Sequence, residues 1–550
     1  MKFFRRFRKN SSLRAVNFAG LSIVFACLLL SAGYIKLEMS YDHHHVHADR
    51  IVRLTLQFDD NPVDGRVNGN DLDALLQQLP EIERTVKMFN VYTAMLTCQG
   101  THHIVNDFYL VNRDFLQVFD IPLIQGSKDE ALQQKGQVLL SESFARQLFG
   151  ELGNELQEIH IEGRQHGAAT LFISGIYKDM PETSHFRTDI LGHLPDDDEV
   201  FTYMYLLLKN QTDIKELAKK ITALIEEKEL FQPSKTRVLL MPMTDIHLHS
   251  HNLREMSVNG NIHYIYLIVG ANMLLLIVVL FNLWLNASLI FSFNRRYYQI
   301  LRLHGARSTV VFKDEAISAL LLGFFSIVTG LFTAYYIMSF GYLPARIPVI
   351  ETIVLCLLFL LPVIAVSLLP ALKGITATLF LNTGNEMKPI RFSYSNVKWM
   401  LTVQYAVVMI VVILAFGINK QMNLVKDTQA GGNDRSLLVM TEQPDQIKAK
   451  YELLKTELLK HTAIEAVTSS FQLPGAAIRD GIGVRKAEDM DWIKLPIMVA
   501  GEDFLPFFSY RNGCRTRIFT CKIRLSNRRN HAFRTPFAAK IYGTYRRVYH

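Results

Sequence analysis

Hydrophobic and polar positions alternate along this chain on two length scales. On the longer scale, five stretches contain no Asp, Glu, Lys or Arg: Ala15 to Ile35, Met256 to Asn294, Ala316 to Ala345, Thr352 to Leu372, and Trp399 to Asn419. Each reaches the roughly 20 residues that a helix needs to cross a hydrocarbon core. One charge at mid-bilayer costs about 2.5–3.5 kcal/mol on insertion scales, so charge-free runs of this length are a strong signal. Helices buried in a soluble core are usually shorter. The pattern predicts five transmembrane helices.

On the shorter scale, residues 37–255 mix strand and helix periodicities. Ile51-Val52-Arg53-Leu54-Thr55-Leu56 reads as a strand, and Asp71 to Leu79 as a helix capped by Asn70 or Asp71. Val138-Leu139-Leu140 followed by Ser141-Glu142-Ser143 reads as a strand running into a helix N-terminus, and Leu171 to Tyr177 as a further strand. An α+β domain is expected, on stalks continuous with the first two spanning helices.

Orientation follows from the Lys/Arg bias. Lys2, Arg5, Arg6, Arg8, Lys9 and Arg14 precede the first span and hold that end in the cytosol. Crossings then place 37–255 outside, the loop 295–313 inside, the link near 342–351 outside, 373–398 inside, and everything after 420 outside. The loop with Arg295, Arg296, Arg302, Arg307 and Lys313, and the one with Lys373, Lys388, Arg391 and Lys398, both fall inside. A cleaved signal peptide is the rival reading of 1–35. The apolar run is long for one, and Phe25 in Val24-Phe25-Ala26-Cys27 is the wrong size for a lipoprotein cleavage site.

The resulting domains are a cytosolic N-terminus (1–14), a first span (15–36), an outer domain (37–255), a block of three spans (256–380) and a cytosolic linker (381–398). A fifth span (399–419), a partial second outer domain (420–510) and a basic tail (511–550) follow.

Composition refines this picture. Hydrophobic residues make up 49% of the 550, too many for an ordinary soluble protein and too few for a bare bundle. Cys27, Cys98, Cys356, Cys514 and Cys521 form neither a disulfide framework nor a paired metal motif. The net charge is +8, but 511–550 alone carry +11, leaving −3 for the rest. The basic balance therefore does not mark a nucleic-acid surface. His43, His44, His45 and His47 cluster beyond the first span, and His247, His249 and His251 precede the second. Without Cys or ordered carboxylates among them, a solvated stalk is favoured over a metal site. Glu315 and Glu351 read as interface positions at span ends. No catalytic arrangement is evident, and no G-x-x-x-x-G-K-[ST] phosphate loop occurs.

The start of the chain returns near its end. Asp49-Arg50, Pro80-Glu81-Ile82-Glu83 and Asp114-Phe115-Leu116-Gln117-Val118-Phe119 follow the first span. Asp434-Arg435, Thr462-Ala463-Ile464-Glu465 and Asp503-Phe504-Leu505-Pro506-Phe507-Phe508 follow the fifth, in the same order. An internal duplication is expected. The second copy breaks into the acid-free tail after Tyr510. The tail is either a lipid-binding segment or a wrong-frame translation that leaves the protein truncated, and the abrupt change of composition favours the latter.

Several segments together resemble one family, the MacB/FtsX-like permeases of ABC transporters. Val111 to Phe119 through Gln125-Gly126 resembles a stretch of their periplasmic core domain. Leu139 to Gly150 resembles its Ser-Glu-x-x-Ala-x-x-Leu-Phe-Gly signature, and Ile173 to Pro181 with Ser184-His185-Phe186 resembles its strand and turn. The long, duplicated permeases of Bacteroidetes are especially similar. The resemblance implies an α-helical integral membrane protein of the bacterial inner membrane with an α+β extracytoplasmic domain. It also implies eight spans, of which the last three are missing here. ATP is then bound by a separate ABC ATPase subunit, and the chain itself has no enzymatic activity and no cofactor. Other implied partners are membrane lipids, a second permease in a homo- or heterodimer, and a periplasmic adaptor.

Arg295 to Arg307 resembles the coupling segment of that family. From the residues alone, Tyr297, Ile300, Leu301 and His304 fall on one helical face, and Gly305 ends the helix. An inert loop held at the headgroups and a helix that docks on a cytosolic partner fit this pattern equally. The resemblance favours coupling, through Tyr297, Ile300, Leu301, Arg302, His304, Gly305 and Ala306. It implies export driven by ATP through mechanotransmission. The alternative is a non-transporting regulator of a cell-wall hydrolase or envelope sensor.

Overall fold

A computed structural model gives the fold. It describes residues 11–507 except 60–61, 69, 99, 151–157, 164–166, 196–199, 232–234, 341–346, 380–393, 428–436, 442, 444, 473–480, 485–492 and 497. The chain starts with α1 (Ser11–Met39) and enters β1 (Ile51–Phe58) after a short turn. Next come β2 (Val67–Asn68), α2 (Asn70–Leu76), the long hairpin β3 (Ile82–Cys98) and β4 (Thr101–Val111), and α3 (Phe115–Val118). They are followed by β5 (Leu123–Gln125), β6 (Gln137–Ser141), α4 (Glu142–Phe149), β7 (Glu158–Gly163), β8 (Gly167–Tyr177) and β9 (Ile190–His193). The domain closes with β10 (Phe201–Leu208), α5 (Ile214–Glu227), β11 (Thr236–Pro242) and α6 (Met243–His249).

The expected strands at Ile51–Leu56, Val138–Leu140 and Leu171–Tyr177 lie inside β1, β6 and β8. Ser141 caps α4, its side chain accepting from the Phe144 N–H at 3.3 Å. The helix expected at Asp71–Leu79 is shorter and takes in Asn70, so Asn70 is not its cap.

The strands form one sheet in the order β11-β1-β10-β3-β4-β9-β6-β8-β5. β3 serves two layers. Its start pairs with β10, while Met95–Thr97 pair with β7. Because β7 also pairs with β8, the strands β3, β4, β9, β6, β8 and β7 close into a ring. Closure removes the exposed edges there. Leu96, Val105, Val138, Leu140, Ile159 and Ile190 pack in one cluster drawn from these strands.

The open part, β11-β1-β10, alternates strictly. Val52, Leu54, Leu56, Met204 and Leu206 pack under α2 and α5, against Leu72, Leu76, Leu217 and Ile221. Ile51, Tyr205 and Leu207 face the other way, against Phe115, Phe119, Met243 and Ile246.

The remaining elements are α7 (Ile262–Phe293), α8 (Arg295–Leu303), α9 (Ser308–Met338), α10 (Val349–Leu379) and α11 (Tyr394–Asp427). Beyond them lie α12 (Asp445–Ala449), α13 (Tyr451–Leu458), the hairpin β12 (Gly481–Val484) and β13 (Ile493–Pro496), and α14 (Phe504–Phe507). Among the described residues, five helices, α1, α7, α9, α10 and α11, are long and apolar enough to cross a membrane. The fold is thus a set of candidate membrane helices carrying an α+β domain.

The helix ends differ from the apolar runs. α7 begins at Ile262, not Met256, because Asn261 caps it by accepting from the His263 N–H at 2.9 Å. α9 starts at Ser308, taking in Lys313, Asp314 and Glu315, and the expected end at Ala345 lies outside the described residues. α10 continues to Leu379 through Pro362 and Pro370.

α1 packs against both α7 and α9, and α10 against α9 and α7. Phe25 and Phe359 meet with ring centroids 5.0 Å apart. Two polar contacts fix the direction: Asn286 Nδ2 donates to Asn17 Oδ1 at 2.6 Å, and Asn272 Nδ2 to Ser31 Oγ at 2.9 Å. α1 and α7 are therefore antiparallel. The start of α1 lies beside the end of α7, at the opposite end from the outer domain.

α14 repeats the local geometry of α3. The Phe115 N–H bonds the Asn112 carbonyl and the Val118 N–H that of Asp114; the Phe504 N–H bonds Gly501 and the Phe507 N–H Asp503. Asp434-Arg435, Phe508 and the tail 511–550 lie outside the described residues.

Candidate functional site

Two places stand out at the ends of the candidate membrane helices. The first is α8. Asn294, the C-cap of α7, separates the two helices, and helical bonds run across it, the Asn294 N–H bonding the Ile290 carbonyl and the Tyr298 N–H bonding that of Asn294. Tyr298 is its anchor. The ring is buried, stacks on Phe291 with centroids 5.5 Å apart, and its hydroxyl donates to Glu315 on α9. Glu315 is therefore a bonded partner and not merely an interface position. The next face of the helix stays open: Tyr297 is 42% exposed and Ile300 55%. Leu301 and Ala306 are half-buried and His304 is exposed, its Nδ1 2.8 Å from the Ile300 carbonyl oxygen. Arg302 lies on the same helix, but its side chain is outside the described residues.

Gly305 ends α8. Its φ of +84° is left-handed, and the Ala306 N–H reaches the Leu301 carbonyl at 3.0 Å, the bond expected of a glycine-terminated helix. The helical face proposed from spacing is thus largely open. Spacing did not reveal Tyr298, which lies about 100° around the helix and does the anchoring.

The second place is the junction between stalks and outer domain. Beyond α1, Asp42 is fully buried. Its Oδ1 accepts from the His185 N–H at 3.0 Å and lies 2.9 Å from His185 Nδ1. His185 Nε2 is 2.6 Å from the Tyr205 hydroxyl. Burial alone would raise the Asp42 carboxyl, but the charge and hydrogen bonds of His185 outweigh it and hold the carboxyl below its ordinary range. His45 is also buried, with Nδ1 2.9 Å from the Phe119 carbonyl oxygen. Burial, then the neighbouring His44, push its pKa down to about 4.

Before α7, Glu255 grips Arg53 with both oxygens, at 2.6 and 2.9 Å. Arg53 also reaches Ser250 Oγ at 2.5 Å. Burial opposes its charge, and the hydrogen bonds to Glu255 restore it. Arg254 pairs with Asp64 at 2.5 Å, and its carbonyl accepts from the Tyr203 hydroxyl at 2.7 Å. The two stalks also meet directly. Glu38 Oε2 lies 2.9 Å from His247 Nε2, and the Tyr41 ring stacks on His247 at 3.4 Å.

These contacts correct the expectation of a solvated histidine stalk. His43 and His44 are exposed, but His45 and His247 are buried joints. Among the described residues no group of three His, Cys, Asp or Glu is placed to hold a metal ion.

Residues 15–224, spanning α1 and most of the outer domain, match the MacB-like periplasmic core domain family. This part of the chain is thus similar to a MacB-like periplasmic core domain. No curated protein matches it. Among solved structures it is similar to a domain of a putative permease from Porphyromonas gingivalis, with 21% identity, 36% of this chain and 92% of that chain covered, and a TM-score of 0.31. It is also similar to the periplasmic region of MacB from Actinobacillus actinomycetemcomitans, with 13% identity, 36% and 90% covered, and a TM-score of 0.28. A third is the extracellular domain of the noncanonic ABC-type transporter YknZ from Gram-positive bacteria, with 12% identity, 34% and 99% covered, and a TM-score of 0.27. The chain thus joins a segment similar to a MacB-like periplasmic core domain to the candidate membrane helices described above.

Proposed function

We propose that this chain is a MacB-like permease that couples ATP hydrolysis by a separate ABC ATPase subunit to movements of its outer domain that export a substrate. One observation carries the reading. α8 is anchored to the bundle through Tyr298 while Tyr297 and Ile300 remain open at the end of the bundle opposite the outer domain. A short basic helix held this way docks on a cytosolic partner and passes its displacement into α7 and α9 on either side of it. ATP then needs only to favour one of two packings of the bundle. The site is Tyr297, Ile300, Leu301, Arg302, His304, Gly305 and Ala306, and the setting is the bacterial inner membrane. A second permease and a periplasmic adaptor complete the proposed assembly.

The test is reconstitution with the cognate ATPase. Arg302→Glu combined with Gly305→Pro abolishes stimulation of the ATPase by the permease; unchanged stimulation overturns the reading. Reporter fusions at Gly126 and His304 must also report opposite compartments.

A further inference from the structure

The two stalk networks converge on one cross-strand pair. Arg53 on β1 and Tyr205 on β10 are partners in the antiparallel register. Through His185, Tyr205 is bound to Asp42 at the exit of α1. Through Glu255, Arg53 is bound to the lead-in of α7. The Tyr205 hydroxyl also lies 3.4 Å from Met256 Sδ, so a single side chain touches both stalks.

These groups are buried to a degree that stability does not require. Arg53, Asp42, His185 and Tyr205 are all at most 1% exposed. Apolar residues of like volume generally serve a core as well as a buried ion pair or better, so such pairs are weak evidence for stability. What an ion pair adds is direction. Its hydrogen bonds fix one relative placement of the two segments, where apolar contacts allow sliding. The same lead-in is held a second time, by the Asp64–Arg254 pair and by backbone bonds from Gly65 to Leu253 and from Leu253 to Val63.

We propose that Arg53, Tyr205, Asp42, His185 and Glu255 form the joint through which displacement of α1 and α7 enters the outer domain. They act as positioning residues for coupling and touch no substrate. The inference rests on the proposed function and adds to it the route from membrane to outer domain.

The test uses the full chain in complex with its ATPase. Genetically encoded spin labels stand at exposed Lys219 on α5 and Ser339 at the outer end of α9. Arg53→Met with Glu255→Met removes both charges and keeps a packed core, so the protein folds. The expected result is ATPase stimulation within twofold of wild type, with the ATP-dependent change in label distance reduced at least fivefold. Exchanging the charges, Arg53→Glu with Glu255→Arg, is expected to recover part of that change. A Met–Met variant that keeps the full distance change overturns the joint while leaving the proposed function standing. A wild-type complex with neither stimulation nor a distance change overturns the proposed function, and the joint with it.

Discussion

Arg53 and Tyr205 face each other across β1 and β10, and each ends a different charged network. The pair is surrounded by Ile51, Phe119 and Leu207, so its polar atoms have little access to water. Breaking the Arg53–Glu255 bond from one side leaves a charge stranded in that setting. Arg53→Met alone is expected to destabilise the protein by about 3–5 kcal/mol, because Glu255 is left uncompensated. The double change to Met at both positions is expected to be close to neutral. Thermal unfolding of the detergent-solubilised chain separates the two, and equal costs would show that the charges contribute nothing.

His45 sets a pH dependence. Its folded pKa lies near 4, against 6.5 unperturbed. The unfolded chain therefore binds a proton below 6.5 that the folded chain refuses until about 4, so stability falls as pH drops through this window. Two and a half pH units correspond to about 3 kcal/mol. Asp189 works against this. Burial, then Asp107 and Asp179, raise its pKa to about 6, so its folded form gains relative stability as pH falls toward 4. Asp42 acts lower still. Its folded pKa is depressed below 3.8, so the stability it contributes is lost only on further acidification. The difference between wild type and His45→Asn isolates the histidine. The variant is expected to lose less stability between pH 6.5 and 4, and parallel pH profiles would refute the assignment.

Much of this architecture was legible in the sequence, and the misses share one cause. Charge-free runs locate membrane helices because the bilayer penalises each buried charge independently of its neighbours. The same additivity fails at helix ends. Asn261 moves the start of α7 by six residues through one side-chain hydrogen bond, and α9 begins at Ser308, ahead of the charge-free run that starts at Ala316. Tyr298 was invisible as an anchor because its partners, Phe291 and Glu315, belong to the helices on either side. Arg53 did leave a trace. It is the one charge inside the apolar run Ile51–Leu56, and such a charge calls for a buried partner. That Glu255 supplies it, some two hundred residues on, depends on β1 and the lead-in of α7 being neighbours in space.

The close approach of α9 to α1 depends on Gly330. A Cβ there would stand 2.8 Å from the Ser22 carbonyl oxygen and 2.9 Å from Phe25 Cδ1. The first of these is backbone and cannot turn aside, so the helices must separate. Gly330→Ala is expected to cost about 1–3 kcal/mol, as overpacking does. Gly417 on α11 has nothing within 4 Å of the same position, and Gly417→Ala is expected to be neutral or slightly stabilising. Thermal inactivation in detergent compares the two, and equal effects would argue against tight α1–α9 packing.

The coupling role proposed for α8 can be tested in a way that divides anchoring from docking. Tyr298 and Ile300 are two residues apart on α8, yet one ring is buried in the bundle and the other side chain is open. Ile300→Glu leaves the anchor intact and places a charge on the proposed docking face, where burial against a partner would penalise it strongly. It is expected to lower stimulation of the cognate ATPase at least tenfold without changing the melting temperature of the permease. Tyr298→Phe keeps the stacking on Phe291 and removes the hydroxyl bond to Glu315. One such bond is worth about 0.5–1.5 kcal/mol, or roughly a few-fold to tenfold in the population of the anchored state. Tyr298→Phe is therefore expected to lower stimulation only a few-fold, and to lower the melting temperature slightly. ATPase rates of the reconstituted complexes decide between the roles. If Ile300→Glu stimulates as well as wild type while Tyr298→Phe does not, the partner contacts some face of the bundle other than the one α8 presents.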